Sequence, residues 1–390
     1  MKFCAVVAEY NPFHLGHLKQ IEYIKKVINP EHIVVIMSGN FTQRGEVALL
    51  NKFVRAKHAV LAGADAVIEL PTVFATANAE TFATGAINVL NSLGCVDGIC
   101  FGIESGNKDE YLTLANAMLN ETAEFKNALK TYLETGVSLA KAKFLAVKEV
   151  YGDKFNEQLI NSPNNVLGLE YVKAIIKCKS NMEIFPMLRE GDHNDLTLKQ
   201  GITSATSIRN AVKSAENDKV KPCVPEFVFN DLTTYPHDFN KLCLSKLLTT
   251  PTDQLKLVAD CTEGLENRIK AITKDSHSVD DLVEKVSTKR YPSTRIRRII
   301  TANLLGIKEK FVKECLSTPL YAKVLAVKSD CIGVVSTLNK NATIPVLTRK
   351  SDLQLLSSTA KDCFEIDVLA NDLFNLITNQ KTNENYMLMV

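Results

Sequence analysis

The stretch Ala8-Glu9-Tyr10-Asn11-Pro12-Phe13-His14-Leu15-Gly16-His17-Leu18 decides the fold of this chain. The residues before it, Lys2 to Ala8, read as a buried strand. Those after it carry Ile21, Ile24 and Ile28 at helical spacing, which predicts a helix from about His17 to Ile28. A strand that turns directly into a helix is half of a βαβ unit, and the pattern repeats. His32 to Met37, Ala66 to Leu70, Gly98 to Gly102 and Glu183 to Leu188 read as further strands. Lys52 to Ala62 and Ala79 to Leu93 read as helices, and residues 107 to 150 as a charged helical insertion. The expected class is α/β with a parallel sheet.

Asn217 to Pro225 combines charge with two prolines and marks a domain boundary, separating residues 1–216 from 226–390. The second part reads as mostly α-helical. Helices are expected at Phe239 to Leu248, Asp253 to Ala259, Gly264 to Thr273, Val279 to Val286, Thr294 to Leu305 and Lys308 to Leu316. Strand-like pieces follow at Ala322 to Ala326, Ile332 to Val335 and Thr343 to Leu347, and then helices from Ser351 and Phe364.

At 390 residues, 46% apolar and 23% charged, the composition excludes a disordered chain. No run approaches the roughly 18–20 apolar residues of a membrane span. The apolar start leads straight into Glu9, as a strand does and a signal peptide does not. Lys plus Arg (46) nearly balances Asp plus Glu (44), so a nucleic-acid partner has to be met by a local patch. None of the ten cysteines forms a Cys-x-x-Cys pair, which speaks against a zinc framework and for a reducing, cytoplasmic setting.

His14-Leu15-Gly16-His17 sits where a strand-to-helix turn meets a helix N-terminus, whose unpaired N–H groups and positive dipole end suit phosphate. Histidines three apart share one face of the first turn, so both imidazoles can address the same phosphate. Gly16 lets a nucleotide approach the backbone. Alone, such a tetrapeptide is also what a surface pair or a helix cap looks like; its place after the first strand of an α/β chain favours catalysis. Zinc on His14 and His17 lacks a third ligand beyond Glu9, so no metal site is expected. Ser204-Ala205-Thr206-Ser207-Ile208-Arg209 is a hydroxyl-rich turn opening a helix, where Ser204 and Thr206 can hold phosphates and Arg209 can neutralise a leaving pyrophosphate.

The first motif resembles the HxGH nucleotidyltransferase superfamily, with its Rossmann-like domain, and the Ser204–Arg209 turn fits a second element of that superfamily. Several segments together resemble one family within it, the bacterial tRNA(Met) cytidine acetate ligases. They are Ala8 to His17, Met37 to Glu46, Asp65 to Pro71, Phe101 to Ser105, Ser162 to Tyr171, Ser204 to Arg209 and Lys289 to Arg298. The resemblance implies that ATP and acetate form acetyl-adenylate, and that the acetyl group passes to N4 of the wobble cytidine of elongator tRNA(Met). It implies catalysis by His14 and His17. It places ATP, carrying Mg2+, on Val7, Ala8, Glu9, Tyr10, Asn11, Pro12, Phe13, His14, Leu15, Gly16, His17, Leu18, Lys19 and Gln20, with Gly102, Asn164 and Arg189 as further contacts. It implies no membrane and no protein partner. Glu190 to Asp195 departs from the family pattern in lacking an aromatic residue before His193.

Lys289, Arg290, Arg295, Arg297 and Arg298 cluster around Tyr291 beside a buried stripe of Ile296, Ile299, Ile300 and Leu304. Such a cluster suits phosphate contacts and base stacking on a folded RNA, although many charge runs are simply solvated helix faces. The polar loop Ser38 to Arg44 follows the second strand and is placed for function. Lys19, Lys52, Arg55 and Lys57 read as either RNA contacts or surface charges. Two other readings stand: a small-molecule adenylyl- or cytidylyltransferase, and a non-catalytic nucleotide- or RNA-binding protein. Nothing in the residues themselves dictates acetate over formate or propionate.

Overall fold

The computed structural model describes residues 1–120, 122–137, 139–152, 157–189, 203–232, 236, 238–384 and 386–390. Residues 190–195, with His193, lie outside them.

Five strands form a parallel sheet: β1 (Phe3–Ala8), β2 (His32–Ser38), β3 (Ala66–Leu70), β4 (Gly98–Ile103) and β5 (Glu183–Leu188), in the order β5-β4-β1-β2-β3. β1 and β2 pair from Phe3↔His32 to Ala8↔Met37. β4 returns to the other side of β1, so the strand order reverses between β1 and β4. A crevice opens beyond the carboxyl ends of the strands at such a switch point. Alternation sends Phe3, Ala5, Val34 and Ile36 into one core, and Cys4, Val6, Ile33 and Val35 into another. Both faces are covered, which is why the strands read as continuous apolar runs.

The sheet does not end at β3. β6 (Ala322–Val327), from the second half of the chain, pairs antiparallel with β3 from Ala66↔Val327 to Glu69↔Lys323. β7 (Val346–Leu347) and β8 (Leu388–Met389) then flank β6 in parallel. The sheet is therefore mixed, and β6 covers the edge that β3 would otherwise leave unpaired. One apolar core runs from Phe82 and Ile87 through Leu247, Ile269 and Ile299 to Phe374. The segment near Asn217–Pro225 thus marks a change of architecture without dividing the core; Asn217–Cys223 winds a short 3-10 helix there.

Most expected elements form, with shifted ends. The first helix starts earlier, at Leu15–Tyr23, because His14 caps it, and it closes in a wider π turn at Ile24–Ile28. The insertion holds helices Lys108–Leu119, Ala123–Glu134 and Leu139–Tyr151. Ile332 to Val335 is not a strand: Gly333–Asn341 is a helix that buries Val334, Val335 and Leu338 at helical spacing, leaving Ile332 exposed.

Lys52 and Arg55 are neither RNA contacts nor surface charges, since both are fully buried. Lys52 Nζ lies 2.7 and 2.9 Å from the Glu69 oxygens and also donates to Glu384. Lys323 Nζ meets Glu69 at 3.3 Å and Glu384 as well. Two lysines and two glutamates thus neutralise one another where β3, β6, the Lys52–Ala62 helix and the C-terminal tail converge. Burial opposes charge on Lys52, but Glu384 and Glu69 prevail and raise its pKa. Lys52→Ala strands Glu69 and Glu384 against Lys323 alone and should cost about 3–5 kcal/mol of stability, read by urea unfolding.

Candidate active site

The turn after β1 places Tyr10 in the left-handed region at φ 48° and carries a cis Asn11–Pro12 bond before His14. His14 takes the N-cap position usually filled by Ser, Thr or Asp. Its Nδ1 accepts from Gly16 N–H at 3.1 Å, while His14 N–H donates to His17 Nδ1 at 3.2 Å. The two rings stack at 3.7 Å and 21°. A nitrogen that accepts from a main-chain N–H carries no proton, so each neutral ring bears its proton on Nε2. The motif is therefore a reciprocal cap that fixes both tautomers. Burial, reinforced by His14 and Arg189, lowers the His17 pKa well below its ordinary value, so the ring is held neutral.

Two guanidinium groups hold this turn. Arg55 donates to the carbonyls of Leu50 (2.9 Å), Glu9 (2.5 Å), Ser38 (3.1 Å) and Gly39. Arg209 donates to Asn11 O at 2.8 Å and to Thr206 Oγ1 at 3.3 Å, with its Nε 3.7 Å from Glu46. Asn11 Oδ1 accepts from Leu49 N–H, and Glu9 Oε1 from Gln43 N–H. The Ser38–Arg44 loop is thus folded against the histidine turn. Ser204 caps the helix Ala205–Lys213 by accepting from Ser207 N–H at 3.1 Å.

A cleft of about 760 Å³ opens at the switch point. Thirteen of the residues expected to contact ATP line it: Val7, Ala8, Glu9, Tyr10, Asn11, His14, His17, Gln20, Gly102, Asn164, Arg189, Thr206 and Arg209. Gly16 and Lys19 line an adjoining hollow of about 50 Å³, together with His17, Gln20, Gly102 and Arg189. Pro12 and Phe13 are buried, Phe13 against Tyr10, His17 and Phe227. Leu18 packs partly buried on the second core, and Leu15 opens the helix.

Gly102 owes its identity to Arg189: a Cβ there would sit 2.8 Å from Cδ and 2.9 Å from Cγ of the arginine. Asn164 donates to Glu104 at 2.7 Å, and its Oδ1 lies 3.5 Å from Arg189 Nη1. Phe82, Phe101, Val166, Leu167 and Tyr171, not marked as site residues by the sequence, make the apolar wall. Their spacing reads only as core, and most are nearly buried. Asn165, beside Asn164, ties the end of β4 to the following helix by accepting from Glu104 N–H (2.7 Å) and Tyr111 OH (2.9 Å).

The basic segment divides. Lys289 and Arg290 are exposed, Arg290 lying 3.2 Å from Glu263 and over the Tyr291 ring. The other three turn inward from the helix Ser293–Leu305. Arg295 donates to Asp260 O (3.1 Å) and Thr262 Oγ1 (2.6 Å), Arg297 to Asp280 (2.7 Å) and Arg298 to Asp260 (3.0 Å). Arg298 and Thr294 also reach the wall of the cleft, as do Gln43 and Arg44 of the polar loop. Helix and loop touch backbone to backbone: Gly45, at φ +69°, would place a Cβ 2.4 Å from the Arg297 carbonyl carbon, and Thr301 donates to Gly45 O at 2.8 Å.

A Rossmann-like sheet with paired, helix-capping HxGH histidines at its switch point defines a nucleotidyltransferase. The family model for HIGH nucleotidyl transferases matches residues 1–387. The tRNA(Met) cytidine acetate ligase of Acetivibrio thermocellus is 36% identical, over 96% of this chain and 94% of its own length. That of Clostridium novyi is 36% identical over 97% and 96%. The Thermotoga maritima TmcAL structure bound with alpha-thio ATP superposes with a TM-score of 0.91 at 28% identity, covering both chains fully. The chain belongs to the tRNA(Met) cytidine acetate ligase family of HIGH nucleotidyl transferases.

Because native His17 refuses a proton that the unfolded chain accepts below about pH 6.5, acidification through that range should lower stability. Denaturant unfolding at pH 7.5 and 5.5 checks this. His17→Asn, which keeps an acceptor for His14 N–H but cannot titrate, should lose less stability between the two pH values than the unsubstituted chain.

Proposed function

We propose that this chain is an ATP-dependent ligase that activates acetate as acetyl-adenylate, releasing pyrophosphate, and transfers the acetyl group to N4 of the wobble cytidine of elongator tRNA(Met), with AMP as the leaving group and the N4 proton lost to solvent. The observation that carries this reading is the reciprocal histidine cap, which sets two Nε2–H tautomers side by side at a helix N-terminus within the cleft. Attack of the acetate oxygen on the α-phosphate builds negative charge on its non-bridging oxygens. Donors fixed in advance at that point lower the barrier without reorganising. His14 and His17 supply those donors. Arg209 and Thr206, close by in the same cleft, receive the departing pyrophosphate.

Gly102, Asn164 and Arg189 hold the nucleotide on the β4–β5 side of the cleft. Gln43, Arg44, Thr294 and Arg298 form the side from which the cytidine enters, and the exposed Lys289 and Arg290 meet the RNA backbone. Glu9 is the one carboxylate among the described residues lining the cleft, and its Oε1 is engaged by Gln43 N–H. Magnesium therefore enters on the phosphates, whose charge it offsets. The ten free thiols suit work in a reducing cytoplasm.

Exchange of labelled pyrophosphate into ATP should require acetate, proceed without tRNA, and fall by at least about 10²-fold in His17→Asn, which lacks the Nε2–H donor. Exchange that ignores acetate would point instead to a transferase with another substrate. Gly102→Ala should displace the Arg189 stem and weaken ATP binding by about tenfold, or ~1.4 kcal/mol, by calorimetry, with an unchanged circular dichroism spectrum.

A further inference from the structure

The ends of the strands opposite the cleft hold a second cluster. His32 begins β2, Asp65 precedes β3, and Cys331 follows β6, so residues far apart in sequence meet where the two halves of the chain join. Their ligand atoms, His32 Nδ1, an Asp65 carboxylate oxygen and Cys331 Sγ, all lie within 4.8 Å of one another. Cys331 Sγ is 3.3 Å from Asp65 Oδ1, and His32 Nδ1 is 3.6 Å from Asp65 Oδ2. With metal–ligand bonds of 2.0–2.3 Å, a tetrahedral zinc ion holds its ligand atoms roughly 3.3–3.7 Å apart, so only small adjustments are required.

Internal hydrogen bonding accounts for part of this cluster. Asp65 Oδ2 accepts from Ile33 N–H at 2.8 Å, and the Cys331 thiol points at Oδ1. It does not account for His32. That Nδ1 is buried without a partner and faces the carboxylate from beyond hydrogen-bond reach, while its ring is held against Phe3 at 5.0 Å. Alongside, the Lys328 ammonium pairs with Asp330 at 2.8 Å, and the Asp330 carboxylate also takes a hydrogen bond from the Cys331 thiol.

We propose that His32 Nδ1, Asp65 and Cys331 Sγ bind one zinc-class divalent cation, with water as the fourth ligand. The mixed nitrogen, oxygen and sulfur set selects against calcium and magnesium, which take oxygen. On binding, the Cys331 thiol gives its proton to solvent as the sulfur–metal bond forms, and thiolate plus carboxylate balance the divalent charge. The ion ties β6 to β2 and β3. It lies at the far ends of the strands from the nucleotide cleft, so the inference stands apart from the proposed reaction.

Cobalt(II) titrated into the metal-free, full-length protein should give a sulfur-to-cobalt charge-transfer absorption that saturates at one equivalent and is displaced by zinc. The band should vanish in Cys331→Ser, weaken in His32→Asn and persist in Cys315→Ser. Zinc should raise the melting temperature of the unsubstituted chain and leave that of Cys331→Ser unmoved. Absence of the band, or its survival in Cys331→Ser, overturns the proposal, whatever the pyrophosphate exchange shows.

Discussion

The histidine turn rests on the Arg55 guanidinium, which is entirely buried and spent on main-chain carbonyls. β1 and β2 run side by side to Ala8 and Ser38, and the carbonyls of Glu9, Ser38 and Gly39 at their ends converge on this one side chain. A planar fork of donors can meet all three and Leu50 together, which a lysine ammonium cannot do in that geometry. Burial lowers the Arg55 pKa to about 10, against the pull of Glu9 and Glu69, so the group stays charged at neutral pH. With Arg209 on Asn11 O and Gln43 N–H on Glu9, this side chain sets the position of the turn that leads into the cap.

The second half of the chain finishes the first. β6 closes the open edge of the sheet, and its Lys323, with Glu384 from the tail, completes the buried charge cluster around Glu69. The helix Ser293–Leu305 presses its backbone on the Gly45 turn and brings Arg298 to the cleft wall. Both halves of the chain therefore contribute to the wall of one cleft. Arg298 joins them, since it pairs with Asp260 and also lines the cleft.

Much of this was legible in the residues. The histidine turn and the five parallel strands follow from the spacing of apolar residues and the chemistry of the turn, whereas Gly102, Asn164 and Arg189 are marked only by the family resemblance, since alone they read as a turn glycine, a helix cap and a surface charge. What the pattern hid is what depends on distant pairing. Lys52 and Arg55 look like surface charges because their partners, Glu69, Glu384 and carbonyls of other segments, are invisible along the helix. Ile332 to Val335 looks like a strand because a β-branched run has no helical signature of its own until Leu338 is counted with it. The apolar wall from Phe82 to Tyr171 is indistinguishable from core, since it is core on all but one side.

The fixed tautomers bear on which chemistry the cap can perform. With both Nδ1 atoms accepting from main-chain N–H groups and the protons held on Nε2, neither ring has a vacant basic nitrogen aimed at a substrate. An arrangement that donates without accepting is poorly suited to a reaction whose nucleophile has to be deprotonated. It is well suited to one whose nucleophile arrives as an anion. A carboxylate is ionised at neutral pH and needs no base to attack phosphorus. It needs its path cleared of negative charge, which neutral donors accomplish without binding the incoming anion as tightly as an imidazolium would. A neutral pair that stabilises the transition state more than the carboxylate ground state is therefore better matched to activation than a charged pair.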